Sequence, residues 1–289
     1  MTLTRERLLQ DLYTAYFGAC RHKRKRSYVR RWERNLKANM EQLCDDLYTR
    51  RYRAMPSKCF IVDHPKKREV FCAAFRDRIV HHLYFDYTHE LFERTFIADS
   101  YSGIKGRGTH YGIRRIAQHI RQESQNYTRT CYALKLDIRG YFMHIDRKRL
   151  LGIALHTLRR KATRDQDLDF LEWLTREIAM LNPTDGCIIT GKAEEWQGLA
   201  PAKSMRNLPA GLGLPIGNLT SQLFSNVYLN TFDQFMKRTL KCRHYGRYVD
   251  DAVVVSCDRE WLLSLVPRVK YFLLRRMMKR KGAINNVNA

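Results

Sequence analysis

Several signatures of other protein classes are missing from this sequence of 289 residues. No stretch approaches about 18 consecutive apolar residues, so no membrane-spanning helix is predicted. No apolar run follows the first residues, so no signal peptide is predicted. The eight cysteines include no C-x-x-C pair, and no histidine stands at zinc-ligand spacing from a second ligand. These absences argue against a membrane protein and a zinc site, and they indicate reduced thiols in a soluble, cytoplasmic protein.

Acidic residues are also scarce relative to basic ones. The chain has 29 Asp and Glu against 53 Lys and Arg, which gives a formal net charge of +24. Such an excess repels itself in a compact body unless a polyanion neutralises it, and nucleic acid is the polyanion we expect. The cluster Arg21–Arg26 is predicted to contact phosphate. The hydrophobic content of 44% is nevertheless that of a folded protein.

Helical and strand patterns alternate along the chain, which predicts an α/β (α+β) fold. A Gly-rich, basic loop at 102–112 lacks the Gly-Lys-Ser/Thr ending of a P-loop. A loop-rich insertion is predicted at 182–213. The predicted helices include 4–19, 75–92, 147–180 and 259–276, and the predicted strands lie within 59–72, 131–138 and 244–256.

Three carboxylates are candidates for a metal site. Asp250 and Asp251 are adjacent between apolar, β-branched segments, where two ionised groups repel each other unless a cation neutralises them. A tight turn that happens to use Asp is the structural alternative. Asp137 ends a predicted strand and is a natural third ligand. Three carboxylates holding two Mg²⁺ ions about 3.5–4 Å apart are typical of in-line nucleotidyl transfer.

At these residues the chain resembles the reverse transcriptase family. The segment Y-V-D-D at 248–251 is similar to the catalytic turn of that family, and L-D-I-R-G-Y-F at 136–142 is similar to its first palm motif. The resemblance extends over residues 60–256. It implies a right-hand polymerase with fingers and an antiparallel palm sheet packed by helices. It also implies RNA-directed DNA synthesis by Asp137, Asp250 and Asp251 with two Mg²⁺ ions.

A finer resemblance is to the reverse transcriptases of diversity-generating retroelements. Most of the family has Q-G-x-x-x-S-P ahead of the palm helix, whereas this chain has G-L-P-I-G-N-L-T-S-Q at 213–222. Ile216 therefore replaces Gln, and Gln222 replaces Pro. The segments at 75–83 and 99–112 also resemble finger motifs of this subfamily. The resemblance implies an RNA template, a DNA or RNA primer, dNTPs, cDNA with errors mostly opposite adenine, and a basic oligomeric accessory protein.

The resemblance also implies roles for single residues. Phe142, five residues beyond Asp137, matches the aromatic gate that excludes a ribose 2′-hydroxyl. Lys105 and Arg107 lie in the finger motif that contacts the incoming triphosphate. Ile216 matches a position lining the nucleotide pocket, where an alkyl group cannot make the hydrogen bonds of Gln, so checking of the base pair should loosen.

The same resemblance divides the chain into segments and leaves its last part unmatched. After the helix at 259–276, the next palm segment and the thumb of the family have no counterpart. We therefore expect a truncated enzyme that synthesises DNA weakly on its own. The predicted segments are a basic helical region (1–58), fingers (59–130), a first palm part (131–181), the insertion (182–213), a palm part with the catalytic hairpin (214–275) and a basic, polar tail (276–289).

Three other functions remain open. A group II intron or defence-type reverse transcriptase would share the aspartates but would more often keep Gln at position 216. A non-enzymatic RNA-binding protein would explain the charge without needing the aspartates. A catalytically impaired, truncated RNA-binding remnant would keep the fold and lose the activity.

Overall fold

Helices and short strands alternate along residues 3–277, which the computed structural model describes. The helices are α1 (Arg5–Cys20), α2 (Ser27–Glu33), α3 (Leu36–Tyr48), α4 (Phe75–Glu93), α5 (Thr109–Glu123), α6 (Tyr141–His144), α7 (Arg147–Lys161), α8 (Leu168–Met180), α9 (Leu219–Gln234) and α10 (Arg259–Arg276). The strands are β1 (Lys58–Val62), β2 (Arg68–Cys72), β3 (Tyr132–Asp137), β4 (Ile188–Ile189), β5 (His244–Tyr248) and β6 (Asp251–Ser256). The mixed α/β class is confirmed. None of these helices combines the length and the hydrophobicity needed to cross a bilayer.

Side-chain caps determine where two of the helices begin. The carboxylate of Asp258 accepts a hydrogen bond from the backbone N–H of Trp261 at 2.8 Å and starts α10 directly after β6. Asp167 accepts one from Phe170 N at 2.9 Å and starts α8. The predicted helical stretch 147–180 is therefore two helices with a break between them.

The chain divides into two compact units. The first comprises the residues up to Phe92 together with Arg147–Phe224, and the second comprises Glu93–Asp146 together with the residues from Ser225 onward. The predicted segment boundaries of fingers and palm stay predictions. The predicted tail at 276–289 lies outside the described residues from position 278 onward.

The sheet of the first unit has the strand order β2-β1-β4. β1 and β2 form an antiparallel hairpin that covers the predicted strand segment 59–72. β4 pairs with β1 in parallel, and hydrogen bonds from Ile188 N to Ser57 O (2.8 Å) and from Thr190 N to Cys59 O (2.9 Å) hold it there. A strand of two residues is too short to show the alternation that identifies strands in a sequence.

A buried carboxylate orders part of the predicted insertion. Glu69 of β2 accepts hydrogen bonds from Ser204 Oγ at 2.9 Å, Met205 N at 2.6 Å and Arg206 Nε at 3.3 Å. Its side chain is fully buried, so these donors replace the water that the carboxylate loses on folding. Within residues 182–213, loops alternate with short 3₁₀ turns, and Glu69 holds the turn at 204–206.

The sheet of the second unit is antiparallel, with the order β3-β6-β5. Leu134 and Leu136 of β3 and Ala252 and Val254 of β6 are buried on one face. The residues that alternate with them in β3, including Asp137, are exposed, as the sequence pattern predicts. α10 packs against β3 and β6, and α5 packs against β5 and β6.

We expect protonation of His81 to destabilise the first unit. His81 is buried in α4 with Nδ1 2.6 Å from Thr220 Oγ1, and burial lowers its pKa to about 4. Between pH 6.5 and 4 the unfolded state binds more protons, so the free energy of unfolding falls as the pH falls through this window, by roughly 3 kcal/mol. Urea unfolding of the wild type and His81→Gln across this range measures the difference.

The exposed His64 supplies the matched control for this measurement. His64→Gln should keep the full pH dependence of the wild type, whereas His81→Gln should lose about 3 kcal/mol of it. Equal pH profiles for wild type and His81→Gln would contradict the assignment.

Candidate active site

A tight turn joins β5 to β6 and carries the paired aspartates. Tyr248 is the last residue of β5 and pairs with Asp251, the first residue of β6, so that Val249 and Asp250 form the turn. Val249 has φ 54°, in the left-handed region that β-branched residues rarely adopt. The turn is therefore strained, and contacts with the rest of the second unit must hold it in place.

The strand register brings Asp137 next to this turn. Asp137 is the direct antiparallel partner of Asp251, and side chains at directly opposed positions lie on the same face with Cβ atoms about 4.5–5.5 Å apart. Both residues are exposed. Two carboxylates far apart in sequence, with Asp250 adjacent in the turn, thus meet at one end of the sheet.

These three aspartates suit a divalent cation by donor type. Carboxylate oxygens are the ligands that Mg²⁺ prefers. Lys135 Nζ lies 3.3 Å from Asp251 Oδ1 on the same face of the sheet, in an ion pair whose two side chains are both exposed to water. Within residues 3–277, no three His, Cys, Asp or Glu side chains are already gathered at metal-binding distances. The strands bring the three aspartates to one end of the sheet as candidate ligands, but their side chains do not form a preformed metal site.

Space for a substrate lies beside Asp251. A cavity of about 460 Å³ extends between α5 and the sheet of the second unit. Its lining includes Ile113, Ile116, Tyr248 and Val253, together with Asp251. Of the three candidate aspartates, Asp251 therefore borders a largely apolar cavity of a size that organic ligands commonly occupy.

The buried guanidinium of Arg247 holds the turn from behind. Its Nε and Nη2 donate to the two carboxylate oxygens of Asp233 in α9, each at 2.8 Å, and its Nη1 donates to the carbonyl of Val249 at 2.8 Å. Tyr245 Oη donates to Asp233 at 2.6 Å. Burial alone lowers the pKa of Arg247, but the charge of Asp233 outweighs it and the net pKa is raised, so the pair stays ionised.

Backbone pairing attaches a further segment to the outer side of β5. Tyr101 N donates to Arg247 O at 2.9 Å, and Arg247 N donates to Asp99 O at 2.9 Å, which forms a parallel bridge centred on Ser100. Gly246 is required here, because a Cβ at this position would collide with the Tyr101 hydroxyl. The Gly-rich loop at 102–108 therefore follows directly on a segment that is paired with β5, the strand that leads to the Asp250–Asp251 turn.

Comparison with solved structures identifies this architecture. An apo telomerase from Candida tropicalis, truncated from the C-terminal domain, aligns with a TM-score of 0.52 over 84% of this chain and 53% of the telomerase chain, at 12% sequence identity. The chain therefore shares the fold of this telomerase over the aligned residues. The predicted polymerase-like arrangement, with an antiparallel sheet and packed helices, is thereby confirmed at the level of the fold.

Sequence comparison gives a weaker similarity. The protein YkfC of Escherichia coli strain K12 is 24% identical over 203 residues, which are 70% of this chain and 46% of that protein. No protein-family model matches the chain. The chain spans about half the length of the relatives it matches.

Three of the predicted substrate-binding residues, Phe142, Lys105 and Arg107, lie in the second unit, and each has a different environment. Phe142 lies in α6 immediately after the Asp137 strand, half-buried, with its ring 5.3 Å from that of Tyr141. Lys105 is exposed, and no ion pair involves it within residues 3–277. Arg107 is instead engaged internally, because its Nη1 donates to the carbonyls of Ile97 and Ser100 at 3.2 and 3.0 Å.

Ile216 and Gln222 belong to the first unit, whereas the three aspartates belong to the second. The carbonyl of Ile216 accepts a hydrogen bond from Phe71 N at 3.0 Å, so its backbone is attached to β2. Gly217 follows with φ 120°, where a Cβ would collide with Val70. Gln222 is exposed near the start of α9. The predicted roles of these two residues stay predictions.

Sequence reasoning did not identify Arg247 and Asp233. The available signal was a charged residue between aromatic residues in a predicted strand, since Arg247 shares the buried face of β5 with Tyr245. Its partner in α9 is 14 residues earlier in the chain, and no local pattern indicates the pairing.

We expect Arg247→Met to lower the free energy of unfolding by about 3–5 kcal/mol, because it leaves the buried Asp233 charge without its partner. Urea unfolding measures this loss. The double variant Arg247→Met/Asp233→Leu should recover part of it, because no unpaired charge remains in the core. Arg243→Met, at an exposed position beside the same strand, is the matched control and should change stability little. An Arg247→Met variant as stable as the control would disprove the role of the pair.

Proposed function

We propose that this chain is an RNA-directed DNA polymerase. The observation that carries the proposal is the strand register that pairs Asp137 with Asp251 and places Asp250 beside them in the turn. It occurs on a reverse-transcriptase-type fold, where a metal-dependent nucleotidyl transfer requires carboxylates that are held rigidly together. The buried Arg247–Asp233 pair supplies that rigidity.

In this proposal Asp137, Asp250 and Asp251 hold two Mg²⁺ ions. When bound, the ions activate the attacking 3′-hydroxyl of the primer and neutralise charge on the leaving pyrophosphate. Lys135, which forms an ion pair with Asp251, competes with them for that carboxylate. Phe142 limits the room beside the sugar of the incoming nucleotide, and the exposed Lys105 contacts its phosphates.

The proposed substrates are an RNA template, a DNA or RNA primer and dNTPs. The net charge of +24 supports a polyanionic substrate. The cavity beside Asp251 supports an organic ligand next to the carboxylates. The cytoplasm, which contains both dNTPs and RNA, is the proposed location.

At a finer level we propose error-prone synthesis of cDNA for a diversity-generating retroelement, with a basic oligomeric accessory protein as partner. The support is the segment at 213–222, with Ile216 and Gln222 in place of Gln and Pro. The hydrogen bond that attaches Ile216 to β2 uses only its backbone carbonyl. A substitution at position 216 can therefore change the side chain without removing this hydrogen bond.

A second candidate is an RNA-binding protein that has lost catalysis. The Lys135–Asp251 ion pair favours it, because a lysine beside a metal-binding carboxylate weakens cation binding. Magnesium-dependent primer extension distinguishes the two functions, since only the first requires it.

We expect Asp137→Asn, Asp250→Asn and Asp251→Asn each to reduce primer extension on an RNA template to background, because an amide cannot supply the charge that holds Mg²⁺. RNA affinity should stay within about twofold of the wild type, since one altered charge is small beside a net charge of +24. Gel-resolved extension and fluorescence anisotropy measure the two quantities.

The control for these variants is Glu260→Gln, an acid-to-amide change at a side chain that is 82% exposed in the same unit. It should extend primers as the wild type does. Extension by Asp251→Asn at the control rate would eliminate the proposed active site, and absence of magnesium-dependent extension by the wild type would leave the second candidate.

We expect Ile216→Gln to lower misincorporation opposite template adenine by about tenfold, as one added hydrogen bond of ~1.4 kcal/mol would do. Sequencing of cDNA from both enzymes measures the error spectrum. Ile188→Gln makes the same substitution at an exposed position of the first unit and should not change it. Identical spectra for wild type and Ile216→Gln would reject the subfamily assignment of this residue.

A further inference from the structure

Nine cationic side chains lie between the end of α1 and the first turn of α3 in the first unit. They occupy 17 positions that contain one acidic residue, Glu33, so the net charge of the stretch is +8 (9 − 1). All nine are exposed. They are Arg21, Lys23, Arg24, Lys25, Arg26, Arg30, Arg31, Arg34 and Lys37.

These charges are not neutralised within the part of the chain that the structure describes. No ion pair among residues 3–277 involves any of the nine. Glu33 accepts a hydrogen bond from Tyr16 Oη at 2.6 Å, so its carboxylate is already engaged. Like charges at this density repel each other, and an anionic ligand would relieve the repulsion.

The turn between α1 and α2 also forms a cavity of about 530 Å³, and the ring of Phe17 is part of its lining. Its lining consists of Phe17, Cys20 and the six residues Arg21–Arg26. The Phe17 side chain is 56% exposed, its ring is 5.2 Å from that of Tyr16, and the Arg24 guanidinium lies 5.9 Å above it. An accessible ring among cations offers a stacking surface for a base and donors for phosphates.

We infer that this turn is a binding surface for single-stranded RNA, with phosphates on Arg21–Arg26 and an unpaired base on Phe17. The phosphates of a duplex can contact the cations, but its bases are already stacked and cannot reach the Phe17 ring. An anionic membrane surface would use the cations but has no base to stack on the accessible ring of Phe17, so the ring favours RNA. The choice of RNA rests on the proposed function, and the surface itself belongs to the unit that does not contain the three aspartates.

Equilibrium binding in the absence of magnesium and nucleotides tests this inference separately from catalysis. The probe is a fluorescent oligouridylate of about 20 nucleotides, longer than single-strand sites of roughly 4–16 nucleotides. Since each phosphate contact contributes a log–log salt slope of about −0.7, Lys23→Gln/Arg24→Gln/Lys25→Gln in the full chain should reduce the slope by about 2.

The matched control removes three exposed cations from α7 of the same unit, as Lys148→Gln/Arg160→Gln/Lys161→Gln. Its slope should stay close to that of the wild type. Equal reductions by the two triple variants would show a net-charge effect only and would overturn the inference.

The stacking contact has its own test. Phe17→Ala should weaken binding of the oligouridylate by about 5- to 150-fold, the range for loss of one stacked base, and should leave affinity for a blunt RNA duplex unchanged. Phe17→Tyr should restore binding, and Tyr127→Ala, which removes another exposed aromatic ring, should have no effect. Equal losses for single-stranded and duplex RNA, or no loss for either, would disprove the base contact.

Loss of primer extension in the aspartate variants with unchanged oligouridylate binding would support the separation of the two sites.

Discussion

A buried ion pair is the constraint on which the candidate active site depends. Arg247 and Asp233 are both inaccessible to solvent, and removing a guanidinium and a carboxylate from water is favourable only if their hydrogen bonds are completed inside the protein. Completing them uses the carbonyl of Val249 and the hydroxyl of Tyr245. The turn that carries Asp250 is therefore attached to the core of the second unit, and its left-handed residue can be tolerated.

The position of the carboxylates follows from the packing of apolar residues on the opposite face of the same sheet. Leu134 and Leu136 must point into the core, so the alternation of β3 places Lys135 and Asp137 on the accessible face. A slip of one residue would bury Asp137 and expose the leucines, which the hydrophobic effect opposes strongly. Hydrophobic packing thus sets the register, and the register sets the distance between Asp137 and its partner Asp251.

The positively charged side chains fall into two groups, those with partners inside the protein and those exposed to solvent without an ion pair among the described residues. Some cations are structural: Arg247 lies in the core, Arg107 binds carbonyls of its own loop and Arg206 binds the buried Glu69. The cations between Arg21 and Lys37 have no such internal use within the described residues, and they lie where water and a polyanion can reach them. The net charge indicates a nucleic-acid partner, but only the contacts show which cations are available for it.

The sequence alone determined the features whose causes are local. The local pattern of residues predicted β3 and the hairpin containing Asp250, and the order of short motifs predicted a polymerase of reverse-transcriptase type. Both kinds of signal depend only on residues that are close together in the sequence. Tertiary structure decided the rest. It paired Arg247 with Asp233 and added β4, whose two residues are too few for any periodic signal. It also assigned Arg107 to carbonyls of its own loop. Each of these depends on burial or on a partner distant in sequence, and the free energy of such contacts exists only once the chain has folded.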